Sequence, residues 1–162
     1  MHARETFEAL VGDLEYPMFI VTARDRGEPL GCLVGFATQT SIDPPRFLVC
    51  LSVKNRTYRV ARGAGVLAVH LVPAEATELA ELFGGETGDD IDKFARIGWH
   101  DGPDGVPILD ECDNWFAGRV LERVEAGDHV AFLLEPIAAE QGTPASMFTF
   151  HRAKRIPPGH EA

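Results

Sequence analysis

The segment Gly31–Pro45, reading G-C-L-V-G-F-A-T-Q-T-S-I-D-P-P, constrains the fold more than any other part of the chain. Cys32, Leu33 and Val34 make an apolar strand, which passes into the small and hydroxyl residues Gly35, Ala37, Thr38, Thr40 and Ser41 and stops at Pro44–Pro45. Each proline fixes its own φ and disfavours helix for the residue before it, so the pair predicts a stiff extended exit. An apolar strand is thus obliged to end in a polar shelf. There Thr38, Gln39, Thr40 and Ser41 can offer backbone N–H groups and side-chain donors to the edge of a flat heteroaromatic ligand or to a phosphate.

Hydrophobic spacing gives the flanking elements. Phe7, Leu10, Val11 and Leu14 fall on one face of an opening helix that ends near Asp13. Met18–Ala23 is short and β-branched, and turn residues at 24–28 join it to a strand over Leu30–Phe36 in a hairpin. Arg46–Ser52 contains five consecutive apolar residues, which predicts a strand buried on both faces, in the middle of a barrel or under a covering partner. Asn55 as N-cap and Gly63 as C′ residue predict a short helix over Arg56–Arg62, either an ordinary capped helix or one whose N-terminus, with Arg56 and Thr57, suits a phosphate. A strand over Val66–Leu71, a helix starting at Pro73 and running to Phe83, and a glycine-rich acidic loop over 84–92 follow. Lys93, Phe94 and Trp99 form either a loop over a ligand or a satellite apolar cluster. Val106–Leu109 reads as extended, Asn114–Val124 and His129–Ile137 form a second hairpin, and 147–150 adds a last strand before a loose tail over 152–162. Six or seven strands with two or three helices suit one mainly β domain, a small Greek-key barrel flanked by helices.

Composition excludes several functions. A formal charge of −10 and a pI near 5.0 argue against nucleic acid as the main partner, although a single phosphate needs only a local nest or one arginine. The N-terminus has no apolar signal core and no run approaches a membrane span, so the expected compartment is the cytoplasm and no membrane partner is expected. Cys32, Cys50 and Cys112 are not closely paired, and Cys32 and Cys50 read as buried small hydrophobes. The histidines never fall at i, i+4 and no Cys-x-x-Cys occurs, so no metal site is expected. Gly63–Gly65 leads into a strand rather than a helix and is no dinucleotide fingerprint, and no serine sits in a G-x-S-x-G elbow.

Taken together, Gly31–Pro45, Phe47–Leu51, Asn55-Arg56-Thr57, Lys93-Phe94 with Trp99, and Gly127-Asp128-His129 resemble the flavin reductase-like family. These are FMN-binding split-barrel proteins, among them the short-chain reductase components of two-component monooxygenases. The resemblance spans about Tyr16 to Glu140 and rests on the order and spacing of motifs that are individually weak. It implies an NAD(P)H-dependent flavin reductase with FMN, or else FAD or a deazaflavin, and with NADH or NADPH as co-substrate. It further implies a homodimer and a partner monooxygenase as recipient. Phe36, Ala37, Thr38, Gln39, Thr40 and Ser41 would line the isoalloxazine and ribityl chain, while Lys54, Asn55, Arg56 and Thr57 would hold the phosphate. Lys93 and Phe94 would close the site, and His129 would position flavin and nicotinamide. Gly35, Phe36 and Gln39 depart from the usual pattern, which leaves the choice of flavin open. A noncatalytic flavin carrier, or an oxidoreductase with tightly held FMN acting on its own small molecule, stand as alternatives.

Overall fold

A computed structural model describes residues 2–85, 92–143 and 146–157. Seven antiparallel strands form one sheet in the order β2-β1-β5-β8-β9-β4-β3: β1 Phe19–Asp25, β2 Glu28–Val34, β3 Ala37–Ser41, β4 Arg46–Ser52, β5 Val66–Leu71, β8 Trp115–Glu125 and β9 His129–Glu140. A separate ribbon pairs β6 (Trp99–Asp101) with β7 (Pro107–Leu109). The helices are α1 Ala3–Gly12, α2 Arg56–Ala61, α3 Thr77–Gly85 and the single turn α4 Phe150–Ala153.

The two edges of the sheet, β2 and β3, are consecutive in sequence and separated only by Gly35 and Phe36. From Val34 to Ala37 the backbone can span at most roughly 11 Å. The edges are therefore held side by side, and the sheet curls into a barrel whose seam is this hinge. At the seam, Cys50 N–H donates to the Phe36 carbonyl at 2.8 Å, and the chain that paired with β1 now pairs with β4. Side chains of alternate residues point inward, as the two-residue period of a strand requires: Val21 and Ala23, Cys32 and Val34, Val49 and Leu51, Leu67 and Val69, then Val130, Phe132 and Leu134. The β1–β2 hairpin turns on Arg26 and Gly27, both at positive φ (55° and 83°), the geometry that matches strand twist in a two-residue loop.

Several expectations shift. Within the described residues β4 is buried on one face; Val49 and Leu51 are inside while Leu48 and Cys50 are half-exposed, because no described element of the chain covers its outer side. The doubly buried strands are β1 and β5. Ile20 packs under α3 with Leu79, Ala80 and Phe83, and Val66 and Ala68 pack under Val106 and Ile108. The shelf is itself a strand, β3, and residues 42–45 turn rather than run extended, with Asp43–Pro44 cis. α3 starts at Thr77, since Pro73 bridges to Met147. The strand expected at 147–150 is reduced to single bridges from Met147 and Thr149, and β6 was not anticipated in a turn-rich stretch. Residues 152–157 are anchored, with Arg152 bonded to the Ala74 carbonyl at 2.5 Å and to Thr77 Oγ1 at 2.9 Å, and Ile156 packed against the α3 cluster. Most of the predicted acidic loop, and 158–162 of the predicted tail, lie outside the described residues.

His70 locks the outer layer to the barrel. It is fully buried on β5, with Nδ1 2.9 Å from the Ile20 carbonyl of β1 and Nε2 accepting from Leu109 N–H of β7 at 3.1 Å. Both bonds require the neutral ring with its proton on Nδ1. Burial holds its pKa down at about 4, against 6.5 for an exposed histidine. Between these values the unfolded chain takes up a proton that the folded one refuses, so stability falls as pH drops from 6.5 toward 4, by about 3 kcal/mol. Urea unfolding at stepped pH should show this decline beginning near pH 6.5; a flat profile from pH 7 to 5 would contradict it.

Candidate functional site

Beside the seam, on the outer side of the sheet, lies an open cavity of about 230 Å³. Its floor is the strand-and-hinge run Cys32–Phe36. Cys50, Leu51 and Ser52 of β4 form one side, His129 and Asn55 a polar corner, and Tyr16, Met18, Gly84 and Phe150 the far wall. Each part has a local cause. Ser52 and His129 face each other in the β4–β9 ladder, which brings the first residue of β9 to the end of β4. Asn55 is fixed as the cap of α2, its side-chain oxygen accepting from Thr57 N–H at 2.7 Å.

His129 is the titratable group best placed to act on a ligand. Its Nδ1 lies 2.7 Å from Asp128 Oδ1, and its ring centre is 5.0 Å from that of Phe36 at a 51° tilt. The hydrogen bond from His129, followed by the charge interaction between the two, holds the Asp128 carboxyl below its usual range. With Nδ1–H committed to Asp128, the neutral ring presents Nε2 as its acceptor. Phe36 is unusually exposed for its size, at 53%, and rims the opening.

Of the residues singled out in the sequence, Phe36, Asn55 and His129 meet at this cavity. Thr38, Gln39 and Thr40 lie exposed farther along β3, with Gln39 Nε2 donating to the Ser41 carbonyl at 3.2 Å, and Ala37 packs against the core. Lys54 is exposed in the turn before α2, and Arg56 is ion-paired with Glu28. Thr57 is buried beside Cys32 rather than facing the cavity. Lys93 and Phe94 are likewise buried. Lys93 Nζ lies 3.4 Å from the Gly31 and Phe83 carbonyls, and Phe94 packs edge-on against Phe83 and Trp99. They stand behind β2 rather than over the cavity, because a short 3-10 turn at 93–95, capped by Asp92, directs them inward. No local pattern marks Tyr16, Met18 and Phe150 as cavity lining, because their approach depends on contacts between the two ends of the domain. Among the described residues no group of three or more His, Cys, Asp or Glu side chains is placed to hold a metal, and no helix is long and apolar enough to cross a membrane.

Residues 11–156 match the flavin reductase like domain. The chain belongs to the flavin reductase-like family. The matched residues take in every strand of the barrel and both walls of the cavity. Over 137 residues the chain is 31% identical to the reductase component of 4-nitrophenol 4-monooxygenase/4-nitrocatechol 2-monooxygenase from Rhodococcus opacus, covering 85% of this chain and 72% of that one. It is 34% identical over 119 residues to a flavin reductase (NADPH) of Lentzea aerocolonigenes, covering 72% and 68%. Two relatives from Rhizobium meliloti (strain 1021), 34% and 31% identical, are longer, and the chain spans 36% and 47% of their lengths. The crystal structure of a flavin reductase domain protein from Arthrobacter sp. FB24 superposes with a TM-score of 0.83 at 21% identity, covering 92% and 91%, which establishes the shared fold.

Burial pushes the thiol pKa of Cys32 up to about 11 and that of Cys112 up to about 12, and raises that of the half-buried Cys50. Under native conditions a thiol reagent should therefore modify Cys50 first, slowly, and leave Cys32 and Cys112 intact until the protein unfolds. Peptide mapping after brief alkylation checks this, and early labelling of Cys32 would contradict the placement.

Proposed function

We propose that this chain is an NAD(P)H-dependent flavin reductase that passes hydride from a nicotinamide to FMN and supplies reduced flavin to a partner monooxygenase. The observation that carries the reading is the cavity at the barrel seam, with aromatic walls and one polar corner, in a chain of the flavin reductase-like family. The Rhodococcus and Lentzea relatives support the recipient and the donor respectively. The donor set fits a flavin ring: Phe36, Tyr16 and Phe150 offer apolar faces, while His129, Ser52 and Asn55 offer hydrogen-bonding groups at one edge. When bound, the flavin supplies the hydride-accepting chemistry.

The chain's own residues bind, orient and exclude water. At about 230 Å³ the cavity is smaller than the ~300–1,000 Å³ of a complete small-molecule site, so it takes a ring and leaves the rest of the ligand outside. Thr38, Gln39, Thr40 and Ser41 would meet the ribityl chain along β3. With Asn55 capping α2, Lys54 and Arg56 would supply the cations for the phosphate, Arg56 giving up its ion pair with Glu28 to do so. Lys93 and Phe94 would support β2 from behind. A homodimer, whose second copy completes the open side, is supported by the half-exposed outer face of β4 and the exposed Phe36. A further support is α1, where Phe7, Leu10 and Leu14 are all more than half exposed. The cytosol suits three free cysteines.

Anaerobic titration with FMN, then NADH, then NADPH tests the reading. A perturbed flavin spectrum that bleaches much faster than free flavin with either nucleotide is the expected result and identifies the donor. Binding without bleaching would transfer the chain to the carrier or own-substrate class, and no spectral change would overturn flavin binding altogether. In a separate test, Arg56→Ala should weaken FMN affinity by about 1–3 kcal/mol, the size of a charge-assisted hydrogen bond. An unchanged titration would remove Arg56 from the phosphate site.

A further inference from the structure

The far wall of the cavity is built by a clasp between the two ends of the domain. Met18 N–H donates to the Phe148 carbonyl and Phe150 N–H to the Tyr16 carbonyl, both at 2.9 Å. Outside this pairing, Glu15 accepts from His151 N–H at 2.9 Å and lies 3.2 Å from its Nδ1, and Lys154 Nζ donates to the Gly12 carbonyl at 3.1 Å. The result is a stacked pair, Tyr16 on Phe150, with ring centres 4.6 Å apart and planes within 14°. The hinge fixes the other side of the Tyr16 ring. A Cβ on Gly35 would stand 2.8 Å from Tyr16 Cε2 and 3.1 Å from Met18 Sδ, so only bare backbone lets the ring lie there.

Cε2 is bonded to the carbon that carries the hydroxyl, so the phenol lies at the junction of wall and floor. Among the described residues no protein group hydrogen-bonds that hydroxyl. Burial, followed by the nearby Glu15 charge, raises its pKa, which keeps it protonated and able to donate.

We propose that Tyr16 contacts the ligand: its ring, clamped between Phe150 and Gly35, presents its hydroxyl edge to a bound heteroaromatic ring, and the hydroxyl donates to a carbonyl of that ligand. The inference rests on the flavin reductase reading. Two sources carry such a carbonyl, the pyrimidinedione edge of the flavin and the carboxamide of the nicotinamide.

Tyr16→Phe keeps the stack and removes the donor, whereas Gly35→Ala keeps the donor and displaces the ring. FMN affinity is read by flavin fluorescence, and the KM for NADH and NADPH with FMN in excess, with thermal melting as the check on folding. Tyr16→Phe should raise one of these constants about three- to ten-fold, the range of one neutral hydrogen bond, without lowering the melting temperature. Gly35→Ala should raise the same constant. A change in FMN affinity assigns the carbonyl to the flavin, and a change confined to KM assigns it to the nicotinamide. Wild-type values for both constants in Tyr16→Phe would overturn the inference. Absence of FMN binding in the unmodified chain would instead overturn the reading beneath it.

Discussion

The structure depends on a two-residue connection. Gly35 and Phe36 join the two edge strands of a seven-stranded sheet, and no flat arrangement can satisfy a join that short. Closure follows, and with it an interior lined by alternate residues of every strand. The same two residues then form the floor and rim of the cavity, since the chain must leave the ladder of β1 before it enters that of β4. Gly35 serves both purposes through its missing side chain, which leaves room for the Tyr16 ring. Fold and candidate site thus share one cause, and a substitution at position 35 acts on both.

Outside the barrel the cover is uneven. α3, the β6–β7 ribbon and the C-terminal segment bury the outer faces of β1, β2 and β5, using His70 and Lys93 as hydrogen-bonded polar links where the layers meet. Such groups are tolerated in an apolar layer because they have partners, and His70 is held neutral by that burial. β4 and α1 receive no comparable cover. An amphipathic helix that buries none of its own residues has its apolar face available for a neighbour. The exposed Phe36 sits at the rim of the cavity, so whatever covers this side also shapes the site.

How far the sequence foretold this depends on the range of the interactions. β1, β2, β4, β5 and the β8–β9 hairpin were legible because strand period and turn residues are local signals; the Asn55 cap placed α2 for the same reason. The motif that ends in His129 located one corner of the cavity, and Phe36 and Asn55 located two more contacts. Five apolar residues in a row suggested a β4 buried on both faces, inside a barrel or under a partner; the chain itself buries one face, since apolarity records what a face tolerates and not what covers it. Lys93 and Phe94 read equally well as a ligand cover or as a satellite cluster, and both are buried, Phe94 packed against Phe83 and Trp99. Tyr16 and Phe150 were invisible, since their stacking joins residues far apart in the chain.

The size of the cavity bears on what kind of binding the fold can sustain. A pocket of about 230 Å³ has room for a ring at most, so in the proposed reading a nucleotide's chain and phosphate would fall to residues on β3 and at the start of α2. Contacts made at such a surface are screened by water and contribute less than buried ones. Tight retention would require a second surface closing over Phe36 and the outer face of β4, which the described residues do not provide. Affinity for the ligand is therefore tied to whatever occupies that face.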